Sequence, residues 1–150
     1  MEQIKDAMFF KKYSIIFLFG IIFSCNSPDS SKPIVIPPYV ATEFNKYDIQ
    51  PIGPYIEIDD SIPDTLSSIG SPWPLYNSFC MEGGYNLAAH AGHRVKFLGY
   101  PINEHYVSAA LNVWAITDSN ECACVYKAVR AGSTLTPGIF SVNDTSVKKN

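Results

Sequence analysis

The alternation of apolar and polar positions divides the chain into unequal parts. Residues 13–24 carry no charge, and their centre, Ile15-Ile16-Phe17-Leu18-Phe19-Gly20-Ile21-Ile22-Phe23, is almost wholly apolar. Lys11-Lys12 stand just before it. A helix needs about 20 apolar residues to cross a hydrocarbon core of about 30 Å, and this run is shorter. A basic flank followed by a short apolar core is the pattern of a secretory signal. Next comes a polar stretch, Asn26-Ser27-Pro28-Asp29-Ser30-Ser31-Lys32-Pro33, with the composition of a flexible tether.

Proline dominates the next segment. Nine of the 11 prolines lie between Pro28 and Pro74, which argues against long helices there. The pattern predicts extended pieces instead: Ile34-Val35-Ile36, and Tyr55-Ile56-Glu57-Ile58 with its period of two, with one helical turn over residues 42–47. From Ser71 the pattern becomes regular. Ser71-Pro72 suits a helix start, residues 75–82 a two-turn helix with Leu75 and Phe79 on one side, and Gly83-Gly84 its stop. Residues 94–102 read as a strand ended by Tyr100-Pro101. Residues 106–117 read as the best strand, Val107, Ala109, Leu111, Val113 and Ala115 alternating with Ser108, Asn112 and Trp114. Asp118-Ser119-Asn120-Glu121 is a turn, residues 122–130 the returning arm of a hairpin, Pro137-Gly138 another turn, and residues 139–142 a short strand. The expected fold is a single small α+β domain, an antiparallel sheet of three to five strands with one or two short helices.

Ile22-Phe23-Ser24-Cys25 adds a meaning to the apolar run. It resembles the lipobox of bacterial lipoproteins, a small residue before a cysteine at the end of the apolar core, with Phe23 bulkier than is common at its place. The resemblance implies that the thiol of Cys25 carries diacylglycerol, that the signal is cut before it, and that the new amino terminus is acylated in turn. Membrane lipid is then the partner, with each buried methylene contributing about 0.8 kcal/mol. The resulting organisation is a signal over 1–24, an acylated cysteine and tether over 25–33, and one domain over 34–150. That domain is Pro-rich and extended over 34–74 and compact over 75–145. Glu2 and Asp6 precede Lys11, and Met8 is an alternative start to Met1. A second resemblance begins at Gly84-Tyr85-Asn86-Leu87 and continues through Gly92, the strand over 95–100 and the hairpin after it. These features, over about residues 79–144, look like an uncharacterised family of short domains in bacterial lipoproteins. They imply a fold class and no activity.

Composition narrows the functional classes. With 47% apolar and 13% aromatic residues the chain has the makings of a globular core. A net charge of −3 with 11 Lys and Arg excludes the basic surface a nucleic-acid binder needs. The Pro-rich zone is acidic, Glu43, Asp48, Glu57, Asp59, Asp60 and Asp64 facing Lys46. The later part is more basic, with Arg94, Lys96, Lys127, Arg130, Lys148 and Lys149. The two either pack together, or the basic part meets anionic head groups.

Three cysteines remain beyond Cys25: Cys80, Cys122 and Cys124. The last two, two apart on a strand, are expected on one face, with Cα atoms about 6.7 Å apart, at the limit for bridging each other. Pairing of Cys80 with one of them is easier and would contribute about 3–4 kcal/mol in the chain-entropy model, which partner being open. Export to an oxidising compartment favours such a bridge. The alternative is a Cys₃His zinc set of Cys80, Cys122, Cys124 and His90 (or His93), although Cys-x-Cys is tighter than the usual zinc knuckle. Cys-x-Cys also lacks the Cys-x-x-Cys spacing of a thioredoxin-like redox site. His90 and His93 read as solvated or capping residues of a polar turn, and His105 as a surface partner of Glu104. A Cys80–His90 nucleophile–base pair has no third group to orient it. Asp59, Asp60 and Asp64 lack a calcium-loop spacing, and Asn143-Asp144-Thr145 matches a glycosylation sequon by chance. Trp73, Tyr76, Phe79, Tyr85, Phe97, Tyr100, Tyr106, Trp114 and Tyr126 are expected mostly in the core. No catalytic motif or cofactor signature is present, so a lipid-anchored envelope protein that binds or supports is expected, with a zinc module as the alternative and a protein partner left open.

Overall fold

The computed structural model describes residues 34–67, 70–130 and 138–149. Its centre is a meander of antiparallel strands in sequence order, β1 (Ile56–Ser61), β2 (Arg94–Tyr106), β3 (Ala109–Asp118), β4 (Glu121–Val129) and β5 (Ile139–Ser141). A two-residue β6 (Lys148–Lys149) pairs with β2 at Glu104 and His105, beyond the point where β1 ends. Two short helices, α1 (Pro38–Lys46) and α2 (Trp73–Glu82), and a 3₁₀ turn at Leu87–His90 complete the α+β domain. Cys25, the residues before it, the tether and Pro137 lie outside the described residues.

The hairpin of β3 and β4 is set by local turn chemistry. Asp118 pairs with Glu121 across Ser119-Asn120, and Ser119 takes the positive φ (55°) that two-residue hairpin turns favour. The other turn is at Val107-Ser108, because Tyr106 pairs with Ala109. The expected break between strands at Ile102 is therefore displaced four residues onward, and β2 runs straight through Pro101. The reason lies in the sheet edge. The Pro101 carbonyl accepts from the Ile52 amide (2.8 Å) on the side where β1 has already ended, so the missing N–H of the proline faces no ladder partner. An irregularity between Pro101 and His105 shifts the register of β2 against β3.

Both faces of the sheet are covered, one helix to each. Val40 and Phe44 of α1 pack with Ile49, Leu98, Tyr100, Leu111, Val113 and Val125 on one face. Trp73 and Cys80 of α2 pack with Ile62, Leu87, Val95, Phe97, Ile116, Cys124 and Tyr126 on the other. Hence Asn112 and Trp114, which alternate with the apolar positions of β3, are not solvent-facing: Asn112 is buried and Trp114 packs into the second cluster. The helical layers are also tied directly, Tyr47 donating to the Gly83 carbonyl (2.9 Å) and Tyr85 to Glu43 Oε2 (2.9 Å).

The nine residues of α1 exceed the single turn expected over 42–47. Pro37 and Pro38 mark its start rather than forbid it, since proline at the first helical position gives up a donor that has no intrahelical partner. Helix α2 begins at Trp73, whose amide donates to Ser71 Oγ (3.3 Å), and it stops as expected at Gly83-Gly84, Gly84 taking φ of 89°. The acidic and basic zones meet on β1 and β2, where Lys96 pairs with Glu57 (2.5 Å) in solvent. Such an exposed pair contributes under about 1 kcal/mol. The contact between Lys127 Nζ and Glu104 Oε2 (2.6 Å) is different, because both side chains are buried. Removing one partner from a buried pair costs about 3–5 kcal/mol.

Candidate functional site

The cysteines separate on β4. Cys122 pairs with Thr117 and Cys124 with Ile116, so Ala123 is an extra residue, a bulge opposite the last residues of β3. The bulge cancels the two-residue parity that places Cys122 and Cys124 on one face. Cys124 points toward α2 and is bonded to Cys80, their Cα atoms 5.5 Å apart. Cys122 packs against the α1 cluster as a free thiol. Burial, and next the Glu43 carboxylate, push that thiol up to about 12, so it stays protonated. The Cys₃His set of Cys80, Cys122, Cys124 and His90 is accordingly not assembled: two of its sulfurs are spent on each other and the third lies on the opposite face. The Cys80–His90 pair loses its nucleophile for the same reason.

His90 does find partners, at the end of the sheet. The 3₁₀ turn is capped by Asn86, whose side chain accepts from the Ala88 amide (3.1 Å), and is pinned by Leu87, which is fully buried. Gly92 then takes φ of 79°, and its amide donates to the Ile62 carbonyl (2.9 Å). A side chain there would meet both the left-handed backbone and Asp64 Oδ1, 2.7 Å from the Cβ position. This reversal returns His93 to the side of His90, immediately before β2 begins at Arg94. Because Lys96 pairs with Thr117, the start of β2 lies against the end of β3, and Asp118 stands beside both imidazoles.

His90 Nδ1 is 2.9 Å and His93 Nδ1 2.5 Å from the same oxygen, Asp118 Oδ2. Two Nδ1–H groups donating to one carboxylate hold it below the usual carboxylate range, the His93 bond contributing most and the His90 bond next. His90 and Asp118 are largely covered, whereas His93 is 57% exposed. Two shallow openings flank the cluster. One, of about 610 Å³, runs along Asp59, Asp60, Ser61, Arg94, Lys96 and Thr117. The other is bordered by His93, Arg94, Asp118, Asn120 and Glu121. Among the described residues His90, His93 and Asp118 are the one group of three side chains whose metal-ligating atoms converge, all within 4.8 Å.

The remaining candidates are dispersed. Asp59 and Asp60 are exposed on β1, Asp60 accepting from the Ser61 amide (2.7 Å). Asn143 donates to the Glu82 carbonyl (3.3 Å). Trp73, Phe97, Tyr100 and Tyr126 are buried and the other five aromatics half-buried, as a core role requires. The residue that reading the sequence misses is Asp118, whose neighbours in the chain mark it only as part of a turn. His-x-x-His at 90 and 93 is visible in the sequence, but the carboxylate that joins it is 25 residues beyond His93 and arrives only through strand register. Compared with protein-family models, with characterised proteins and with solved structures, the chain gives no match.

Proposed function

We propose that the protein is a lipid-anchored component of a bacterial cell envelope that acts by binding or structural support rather than by catalysis. The observation that carries this reading is Cys25 at the end of an uncharged apolar run, preceded by Ser24 and by the basic pair Lys11-Lys12. Two further features support it. The bonded pair Cys80–Cys124 suits an oxidising compartment outside the cytoplasm. Residues 35 and 36 already join the domain, Tyr100 donating to the Val35 carbonyl (3.2 Å) and Ile36 packing against the core, and the Ser- and Pro-rich composition of 26–33 suits a tether between them and the acylated residue. Two or three acyl chains give stable anchoring where one is marginal.

Intact-mass measurement of protein extracted from membranes tests the reading. The expected product starts at Cys25, carries the mass of its acyl chains, and holds one alkylatable thiol, Cys122, once unfolded without reductant. A chain that retains residues 1–24, or that starts elsewhere without lipid, would overturn it. A Cys25→Ser variant is expected to carry no acyl mass and to remain uncleaved at this site, retaining residues 1–24.

A further inference from the structure

We propose that His90, His93 and Asp118 bind one divalent transition metal ion of the zinc class, through His90 Nδ1, His93 Nδ1 and an Asp118 carboxylate oxygen. The site is independent of the anchoring reading and involves none of the cysteines.

The ligating atoms follow from geometry. Both Nδ1 atoms face one oxygen, at 2.9 and 2.5 Å, while the ring centres stand 6.3 Å apart. That is further than the two Nδ1 atoms can be from each other when both touch that oxygen. The rings therefore splay outward from Asp118, and their Nδ1 atoms are the ones that converge. Around a tetrahedral zinc with bonds of about 2.0–2.1 Å, neighbouring ligand atoms lie about 3.3 Å apart. The two nitrogen–oxygen edges thus have to lengthen by less than about 1 Å, while the third edge is already within 4.8 Å. Metal binding replaces two N–H···O bonds by three metal bonds, each imidazole carrying its proton on Nε2 instead.

The donor set selects the metal. Two imidazole nitrogens and one carboxylate oxygen suit first-row transition metals such as zinc, copper, nickel, cobalt or iron(II). They do not suit calcium or magnesium, which take six or more oxygens. Three protein ligands leave the fourth position to water, on the side where His93 is exposed and the opening beyond Asn120 and Glu121 gives access. Asp118 and Glu121 outweigh the single positive charge of Arg94 at this opening.

The scaffold is stiff. Asp118 ends β3 and is locked by its pairing with Glu121; His93 directly precedes β2; His90 closes a capped turn pinned by buried Leu87. The Cys80–Cys124 bond fastens α2, which leads into that turn, to β4. Ligands mounted on such elements need little reorganisation on binding.

The test is calorimetric titration of the full chain, purified in detergent and stripped with a chelator, with zinc chloride. One equivalent is expected to bind, and cobalt is expected to give the visible absorption of a four-coordinate N/O site without a thiolate charge-transfer band. His93→Ala, a change at an exposed side chain, is expected to weaken binding roughly 100-fold or more while the metal-free protein still folds. His90→Ala and Asp118→Asn should weaken it as much, and Cys122→Ala and Cys25→Ser should leave it unchanged. Absence of a saturable equivalent, equal zinc binding by the triple variant, or loss of binding in Cys122→Ala would overturn the proposal. Equal affinity for calcium would overturn the assigned metal class.

Discussion

Val107 occupies the first position of a two-residue hairpin turn with φ of 58°, a region that β-branched residues rarely enter. Its side chain is 80% exposed and has few contacts to offset the strain of about 1 kcal/mol or more. Replacement by asparagine, which tolerates this backbone, is expected to raise the thermal midpoint by roughly 4 °C. An unchanged or lower midpoint in calorimetry would refute the assignment of strain. Cys122 supplies a second residue-level expectation. A thiol raised to about 12 carries far less thiolate at pH 8 than a free one, so alkylation of the folded Cys25→Ser variant is expected to be markedly slower than that of the denatured chain. The same shift has a definite sign for stability. Below about pH 9 the thiol is neutral whether folded or not, and from pH 9 to 12 ionisation of the unfolded chain draws stability away. Neither property is legible in the sequence, where Cys122 and Cys124 differ only in position. Their chemistry is separated by one inserted residue, Ala123.

At the scale of elements, legibility depends on how local the cause is. Helix α2 is readable because its start at Ser71-Pro72 and its stop at Gly83-Gly84 are written in adjacent residues, and the Asp118–Glu121 hairpin because its turn is polar and short. Helix α1 is longer than its sequence suggests, since proline density counts against helices in general but not at their first turn. The Val107 turn is hidden because valine is a strand former and its position is fixed by the pairing of β2 with β3. That pairing also explains Gly99. A Cβ there would lie 2.7–2.8 Å from three atoms of the Trp114 ring, which covers the glycine and stacks on Tyr126 at an interplanar angle of 9°. Gly99→Ala is therefore expected to displace the indole and cost about 1–3 kcal/mol. Denaturant unfolding with a shift in tryptophan emission checks it, and unchanged values of both would show that Trp114 yields freely.

On the scale of the whole molecule, the layers make the two cysteine environments and the His–Asp cluster possible. A helix on each face lets the sheet bury both sides, with Phe44 packed edge-on against Tyr100 (5.5 Å, 88°) under α1. Phe44→Ala should cost about 3–5 kcal/mol. Because α1 also covers Cys122, the same change is expected to speed its alkylation at pH 8. Destabilisation without faster labelling would show that α1 is not the cover. The sequence by itself determined the α+β class, the later strands and α2, and the presence of a cysteine able to pair with Cys80. These come from periodicity, turn residues and short motifs, all of which act between near neighbours. Only the tertiary structure decided which cysteine is bonded, that both faces of the sheet are covered, and that Asp118 meets His90 and His93. The first turns on a single-residue bulge and the others on strand register and helix packing, all set by the pairing of distant segments, and local pattern carries no record of that pairing.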